Sequence, residues 1–511
     1  MLFESVRFGF AKFVRAQPRF SSFYEPVVLL NALNFATRDT TPPASFDGTI
    51  DSQDPEQLFK AFVYKLGHVC DSEKGRGGAT ITSFCVLKDQ ERDGAAHFWF
   101  ASNERTNREL EATAEYVRRL LGKVERSVQD QVGYRTAFRD VLGEVLWFNL
   151  PRVAYYLGKI REKASKCRSS CSENPNNEYR GVAAKLTELL TFVDFDTSRG
   201  AAKDQFVIRS SRALKQIEQL RDSPEGQLMI ERARAGRMVG VPSEECWSDL
   251  QHMINRTIAY AESVRFMLSA KRNWPNLLDD FQVSFIDSSQ RIPRPFRNKS
   301  TSAVGIVGRM TRKEKQIEIF KGFAQDLQRY DLDKLIMEVY KDQNFRPLVH
   351  SEVLLLDWLD KQGFLEPRCF FNEWMYIGAS KPTCKLCRHY FLSHHSPNVG
   401  HRPSHGNLYL SWRFPDVLGS QGEVELNRRQ IMVDRVLEKV RKEAFDIVRG
   451  KVSPSYKGDD SFTYSAALPG RSTVAGSVTD ADDLASMVGH LDLSDRALDF
   501  DDGVGGAPLF V

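Results

Sequence analysis

The pair Cys384 and Cys387, two residues apart just after Pro382 and downstream of a His350-Ser351-Glu352 triplet, restricts this chain more than any other feature. Thiolates and imidazole are zinc donors, and a catalytic zinc site uses three protein ligands while leaving the fourth position to water. One His and two Cys supply that count, so the fold must bring His350 beside the CxxC pair. A helix opening at Cys384 puts the pair in its first turn, where unpaired backbone N–H groups and the positive dipole end favour thiolates. On a regular helix His350 and Glu352 would point about 200° apart. They can share a site only at a helix start, with His350 still extended and Glu352 in the first turn. His350, Cys384 and Cys387 are then the expected Zn2+ ligands. Glu352 is the expected proton shuttle, the catalytic acid and base.

The surrounding pattern is an α/β succession. Val353 to Leu359 reads as an apolar helix ended by Gly363, Cys369 to Ile377 as a strand, and Gly378 to Pro382 as a turn. Asn407 to Phe414 alternates like a strand, and Arg428 to Val448 is a long charged amphipathic helix. Far upstream, residues 55–72 form an amphipathic helix after the acidic start Asp54 and Glu56. A hairpin follows, Ala79 to Leu87 and His97 to Ala101, joined by the charged stretch Lys88 to Gly94. Helical stripes then dominate from 105 to 271, such as Leu110, Ala114, Val117 and Leu121. Residues 272–310 read as a linker, because Arg291 to Lys299 combines Pro293 and Pro295 with four basic residues and Phe296. Thr311 to Gln343 is helical again.

With His350-Ser351-Glu352 and Pro382-Thr383-Cys384-Lys385-Leu386-Cys387 in view, the chain resembles the zinc nucleobase deaminases. The longer stretch Tyr376 to Cys387 is similar to the largely fungal OTT-type branch of the cytidine-deaminase-like superfamily. The resemblance covers 345–450. It implies a three-layer α/β/α fold, one zinc, and a nucleobase-containing substrate, nucleotide or nucleic acid. It carries His350, Cys384 and Cys387 over as ligands and Glu352 as the acid/base. Such domains place a β-hairpin just before the His-x-Glu helix, whereas here only Asn344 to Val349 separates that helix from the preceding one. We therefore expect the hairpin of 79–101 to be the missing piece, with Ala79 to Leu87 paired antiparallel to Cys369 to Ile377 and the helices between inserted.

The expected organisation is an N-terminal helical segment (1–54), a helix and hairpin completing the deaminase sheet (55–104), a helical region with its linker (105–310), the zinc domain (311–450) and a tail (451–511). The tail has ten Asp, no Glu and only four Lys or Arg, with few large apolar residues, so disorder is expected there. At 511 residues the chain is too long for one core. It lacks a run of eighteen apolar residues, so no membrane span is expected. Eight cysteines with a single CxxC do not make a disulfide framework, which points to a reducing, intracellular location, cytoplasmic or nuclear. Phe3, Val6, Phe10 and Phe13 share one face opposite Lys12 and Arg15; a first helix packing on the body is preferred there to a mitochondrial presequence.

Other readings compete. Cys384 and Cys387 with His401 and His405 approach zinc-finger spacing, but Pro403 lies between the histidines and Gly400 and Gly406 flank them. A thioredoxin-like redox pair leaves His350 and Glu352 without a role. A catalytically inactive, zinc-stabilised deaminase-fold scaffold is the principal alternative. Trp374, Tyr376, Tyr390, Tyr409 and Trp412 could stack on a base, and Lys381, Lys385 and Arg388 could face phosphate; core packing and solvated charge are the ordinary roles for such residues.

Overall fold

The computed structural model describes residues 20–36, 53–75, 78–92, 95–129, 133–172, 178–198, 200, 202–238, 246–296, 301–417 and 421–450. The expected presequence-like face and the acidic tail lie outside them. The protein is mixed α/β and mainly helical. In chain order the named elements are α1 (Phe20–Ala36), α2 (Pro55–Cys70), β1 (Thr82–Lys88), β2 (Ala96–Ser102), α3 (Asn107–Gln129), α4 (Tyr134–Phe148), α5 (Leu150–Ser172), α6 (Glu178–Val193), α7 (Lys203–Asp222), α8 (Pro224–Met238), α9 (Cys246–Asn273), β3 (Gln282–Ile286), α10 (Ala303–Met310), α11 (Glu314–Asp326), α12 (Leu332–Lys341), α13 (Ser351–Gln362), β4 (Tyr376–Ala379), α14 (Lys385–Ser393) and α15 (Gly422–Gly450). Two compact units divide them: 20–36, 289–362 and 383–450 in one, 53–288 and 363–382 in the other. No helix among the described residues is long and apolar enough to cross a membrane.

The second unit holds the strands β1 to β4. β1 pairs antiparallel with β2, from Thr82↔Ser102 to Lys88↔Ala96, and on its other edge with β4, Ser83↔Ala379 and Phe84↔Gly378. The long-range antiparallel pairing expected of the hairpin is present, but its ladder falls on Gly378 and Ala379, just beyond the expected Cys369 to Ile377, with one bridge, Leu87↔Phe370, inside that range. Phe84, Cys85, Val86 and Leu87 are all buried, so both faces of this strand are covered, one of them by a helix. That helix is α2, opened by Pro55 and capped by Asp54, whose carboxylate accepts the Glu56 N–H at 2.8 Å. Two glycines let it lie close. A Cβ at Gly67 would meet the Thr82 carbonyl at 2.9 Å, and one at Gly378 would meet the Tyr64 nitrogen and a Val63 methyl at 2.8 Å.

Helices α3 to α9 share one apolar core with this sheet, α9 touching α2, α4, α5 and α8. A buried polar knot stitches the end of α2 to α5. Arg152 pairs with the Asp71 carboxylate and donates to its carbonyl, and Asn149 Nδ2 donates to the Val69 carbonyl at 2.7 Å. Burial raises the Asp71 carboxyl, but the Arg152 guanidinium overrides it and holds the group at about 2.

Several local expectations need correction. The linker 272–310 contains a real strand: β3 runs parallel to β2, His97↔Gln282 to Ala101↔Ile286, and α10 follows. The proline-rich 291–296 obscured the short apolar run before it. The strand expected over Cys369 to Ile377 moves along the chain: β4 keeps only Tyr376 and Ile377 of it and runs on to Ala379, into the expected turn, because the chain first makes 3-10 turns at Pro367–Cys369 and Phe371–Glu373, with Asn372 and Glu373 at φ 49° and 63°. Asn407 to Phe414 is extended but contributes only a parallel bridge, Leu348↔Trp412. The helix expected over Thr311 to Gln343 is interrupted by Asp331 at φ 57°, between α11 and α12.

In the first unit α1 is the central helix. It packs on α10, α12 and α15, and from Phe23 to Leu30 no residue is exposed. An apolar surface all round is what a helix at the middle of a bundle presents.

Candidate metal centre

His350 is the last extended residue before α13, and its carbonyl accepts the Leu354 N–H at 2.9 Å, the first bond of that helix. Extension is imposed from both sides. Leu348 donates to the Ser411 carbonyl at 3.1 Å and accepts from the Arg413 N–H at 2.9 Å, while the Val349 N–H donates to Ser289 Oγ at 2.9 Å. On the other side of Leu348, the Ile292 N–H donates to the Pro347 carbonyl at 3.0 Å. Residues 289–292, read from sequence as loose linker, thus brace the approach to His350. Glu352 falls in the first turn of α13 and is 5% exposed.

α14 begins at Lys385 with Cys384 as its N-cap, extended at φ −76° and ψ 164°. The Cys384 sulfur accepts the Cys387 N–H at 3.5 Å, taking the place of the usual Ser or Asp oxygen. Lys385 N–H donates to the Asn407 carbonyl at 3.0 Å, and Thr383 is bridged to Ser404, so the turn holding the pair is fastened on both flanks.

These two helix starts converge. His350 Nδ1 lies 3.3 Å from Cys387 Sγ and 3.6 Å from Cys384 Sγ, and the three donor atoms all fall within 4.8 Å of one another. Zn–S bonds of about 2.3 Å and Zn–N bonds of about 2.0–2.1 Å in a tetrahedron require N···S separations of about 3.6 Å. The donor set fits zinc, with Nδ1 as the ligating nitrogen. Both cysteines are buried free thiols.

The protonation pattern points the same way. Burial disfavours charge on Cys384, yet its bonding with Cys387 and the imidazole of His350 hold its thiol well below the ordinary range. Cys387 moves oppositely, pushed up by burial, by its bond with Cys384 and by that neighbour's charge. Burial also works against charge on His350, but the Cys384 sulfur outweighs it and raises the imidazole. Cys384 and His350 thus favour each other's charged forms, while Cys387 is held toward its thiol. A second thiolate needs more positive charge, which a divalent cation supplies. Burial raises the Glu352 carboxyl, with His350 opposing, and Glu352 shares a hydrogen bond with Cys387.

The aromatic candidates separate by unit. Trp374 and Tyr376 belong to the second unit's core, with Trp374 5.0 Å from Phe59. Tyr390 is buried against Trp412 and Phe414. Tyr409, half-buried, has its ring 6.4 Å from that of His350. Trp412 is fully buried, and its indole N–H donates to Cys387 Sγ at 3.2 Å. Sequence reading had grouped Trp412 with packing residues; the available signal was that a buried indole N–H requires an acceptor. Among the basic candidates, Lys385 pairs with Glu443 at 2.7 Å and Arg388 is exposed.

His401 and His405 are not in the donor cluster: His401 Nδ1 lies 2.9 Å from the Arg402 carbonyl, and His405 Nδ1 accepts the Asn407 N–H at 2.9 Å. A second group with metal-ligand distances, Asp360, His394 and His395, was not anticipated. Its hydrogen bonds disfavour a metal. The Ser396 N–H donates to His394 Nδ1 at 3.2 Å, which leaves the ring proton on the Nε2 that faces Asp360, and Arg428 already reaches Asp360 at 3.5 Å.

Residues 349–416, which carry all four predicted site residues and Trp412, match the model of OTT_1508_deam, a deaminase-like family of the cytidine-deaminase-like kind. No curated protein and no solved structure matches the chain.

Proposed function

We propose that the protein is a zinc-dependent hydrolytic deaminase of an amino-substituted nucleobase, carried in a nucleoside, a nucleotide or a nucleic acid. The observation that supports it best is the convergence of His350 Nδ1 and the Cys384 and Cys387 sulfurs, with the Glu352 carboxyl buried beside them and outside the donor set. When bound, zinc supplies a Lewis acid that makes water nucleophilic near neutral pH. His350, Cys384 and Cys387 hold the ion. Glu352 takes a proton from the attacking water as its oxygen bonds to the amino-bearing ring carbon, and delivers that proton to the adjacent ring nitrogen. The same carboxyl then moves the remaining hydroxyl proton to the amino group; the C–N bond breaks, giving a ring carbonyl and ammonia. Burial suits Glu352 to this work, because a carboxyl raised toward neutrality both accepts and returns a proton. Tyr409 offers a ring face beside His350 for the base to stack on. The same reading takes the fold to be a three-layer α/β/α core and the setting to be intracellular, in keeping with a sequence whose cysteines do not make a disulfide framework.

Ammonia release from cytosine- and adenine-bearing nucleosides, nucleotides and oligonucleotides tests the reading. Turnover is expected with at least one of them and not with Glu352→Gln. A folded, zinc-loaded protein inert toward the whole panel would overturn the enzymatic reading and leave a zinc-stabilised binding protein.

A further inference from the structure

We propose that Trp412 is a positioning residue of the metal centre: its indole N–H bonds to the Cys387 thiolate and fixes both the direction and the donor strength of that ligand. This rests on the triad being a metal site. The contact is a direct one, 3.2 Å from Nε1 to Sγ, between two side chains with no exposure to solvent.

The placement of the indole is set by its surroundings. Its backbone is bridged to Leu348, two residues before His350, and its carbonyl accepts the Tyr24 hydroxyl at 2.9 Å. Its ring is edge-on to Phe414 at 4.8 Å and tilted against Phe23 at 6.0 Å. The strand-like segment that aligns His350 therefore also aims the indole at Cys387, so two of the three donors are registered against one piece of backbone. An N–H directed at a thiolate withdraws electron density from the sulfur. The sulfur then gives less charge to the ion, which stays the stronger Lewis acid, and the surrounding groups that orient metal ligands generally tune sites in this way.

The test uses the full chain loaded with Co(II) in place of zinc, whose thiolate-to-metal charge-transfer bands report the energy of the sulfur lone pair. Replacing Trp412 with β-(3-benzothienyl)alanine keeps the fused ring and its packing but exchanges the N–H for sulfur; Trp412→Phe is the genetically simple companion, and Tyr390→Phe controls for altered packing near the indole. Loss of the donor is expected to move the bands to lower energy in both Trp412 variants and to leave them in place in Tyr390→Phe. Bands unmoved in the folded benzothienyl variant would overturn the assignment of Trp412 while leaving the metal site intact. A wild-type chain that takes up no Co(II) and no Zn2+ would overturn the metal reading itself, and this inference with it.

Discussion

In the proposed mechanism His350 and Glu352 differ in task because a helix starts between them. His350 is held extended by the contacts of Leu348 and Val349, so its ring turns to the sulfurs; Glu352 sits in the first turn, where its carboxyl is buried beside the donors without joining them. Removing a donor and removing the proton carrier should therefore give different phenotypes. Cys384→Ala removes both a ligand and the N-cap of α14, so it should lose the metal and also stability, about 1 kcal/mol for the cap alone. Elemental analysis of purified protein is expected to give about one zinc per wild-type chain. A folded Cys384→Ala, Cys387→Ala double variant that retained stoichiometric zinc would rule these ligands out. Glu352→Gln should keep the zinc and the fold yet lower turnover about 100- to 10,000-fold, the usual scale of general acid–base catalysis. Normal turnover by that variant would remove Glu352 from the mechanism, and loss of zinc would make it a ligand or the support of one.

Between elements, α14 is fastened to α15 through one carboxylate. Lys385 Nζ is 2.7 Å and His389 Nε2 3.1 Å from Glu443. Burial raises the Glu443 carboxyl, but hydrogen bonding with His389 and the charge of Lys385 overcome that and bring it to about 2, against an ordinary 4.5. A carboxyl with a depressed folded-state pKa contributes stability that is fully present above the ordinary value and is lost as pH falls toward the folded one. Glu443→Gln should therefore destabilise the protein by about 1–2 kcal/mol near neutral pH, after allowance for partial exposure. Urea midpoints of the two proteins should converge as the pH falls below 4.5 toward 2. A gap that stayed constant through that window would assign the effect to packing instead. The α2–β4 contact makes a steric prediction. Because a Cβ at Gly378 meets backbone at 2.8 Å, Gly378→Ala should cost about 1–3 kcal/mol, read as a lowered thermal midpoint. A variant as stable as wild type would show that α2 and β4 lie farther apart than this.

At the scale of the molecule, what the sequence makes legible is local chemistry and periodicity. The His-x-Glu and CxxC spacing can be read because ligand geometry admits few alternatives, α2 and α15 because each has a helical period, and the hairpin because its strands are rich in β-branched and aromatic residues. The β1–β4 pairing, Ser83 with Ala379, is implied by the strand order of the family the chain resembles, and the need of a buried strand's edge for a partner supports it. Elements whose role is set by distant neighbours could not be read this way: β3 is a strand because β2 offers it an edge, and Trp412 is more than packing because Cys387 happens to lie at its nitrogen. α1 makes the same point most strongly. It is far from the motifs in sequence, yet Phe23, Tyr24, Val27, Val28, Leu30 and Leu33 are buried in the unit that holds them, and the Tyr24 hydroxyl reaches the Trp412 carbonyl. At about 1.5–3 kcal/mol for each buried side chain, those six contribute about 9–18 kcal/mol, comparable with the whole net stability of an ordinary domain at about 5–15 kcal/mol. The motif-bearing segment should therefore not stand alone. A fragment of residues 301–450, which contains every proposed ligand but neither α1 nor the 289–292 brace, is expected to show no cooperative thermal transition by circular dichroism and to bind zinc without the full chain's affinity. A fragment that melted cooperatively and held one zinc as tightly as the full chain would show that the site is self-sufficient and that α1 is only an outer covering.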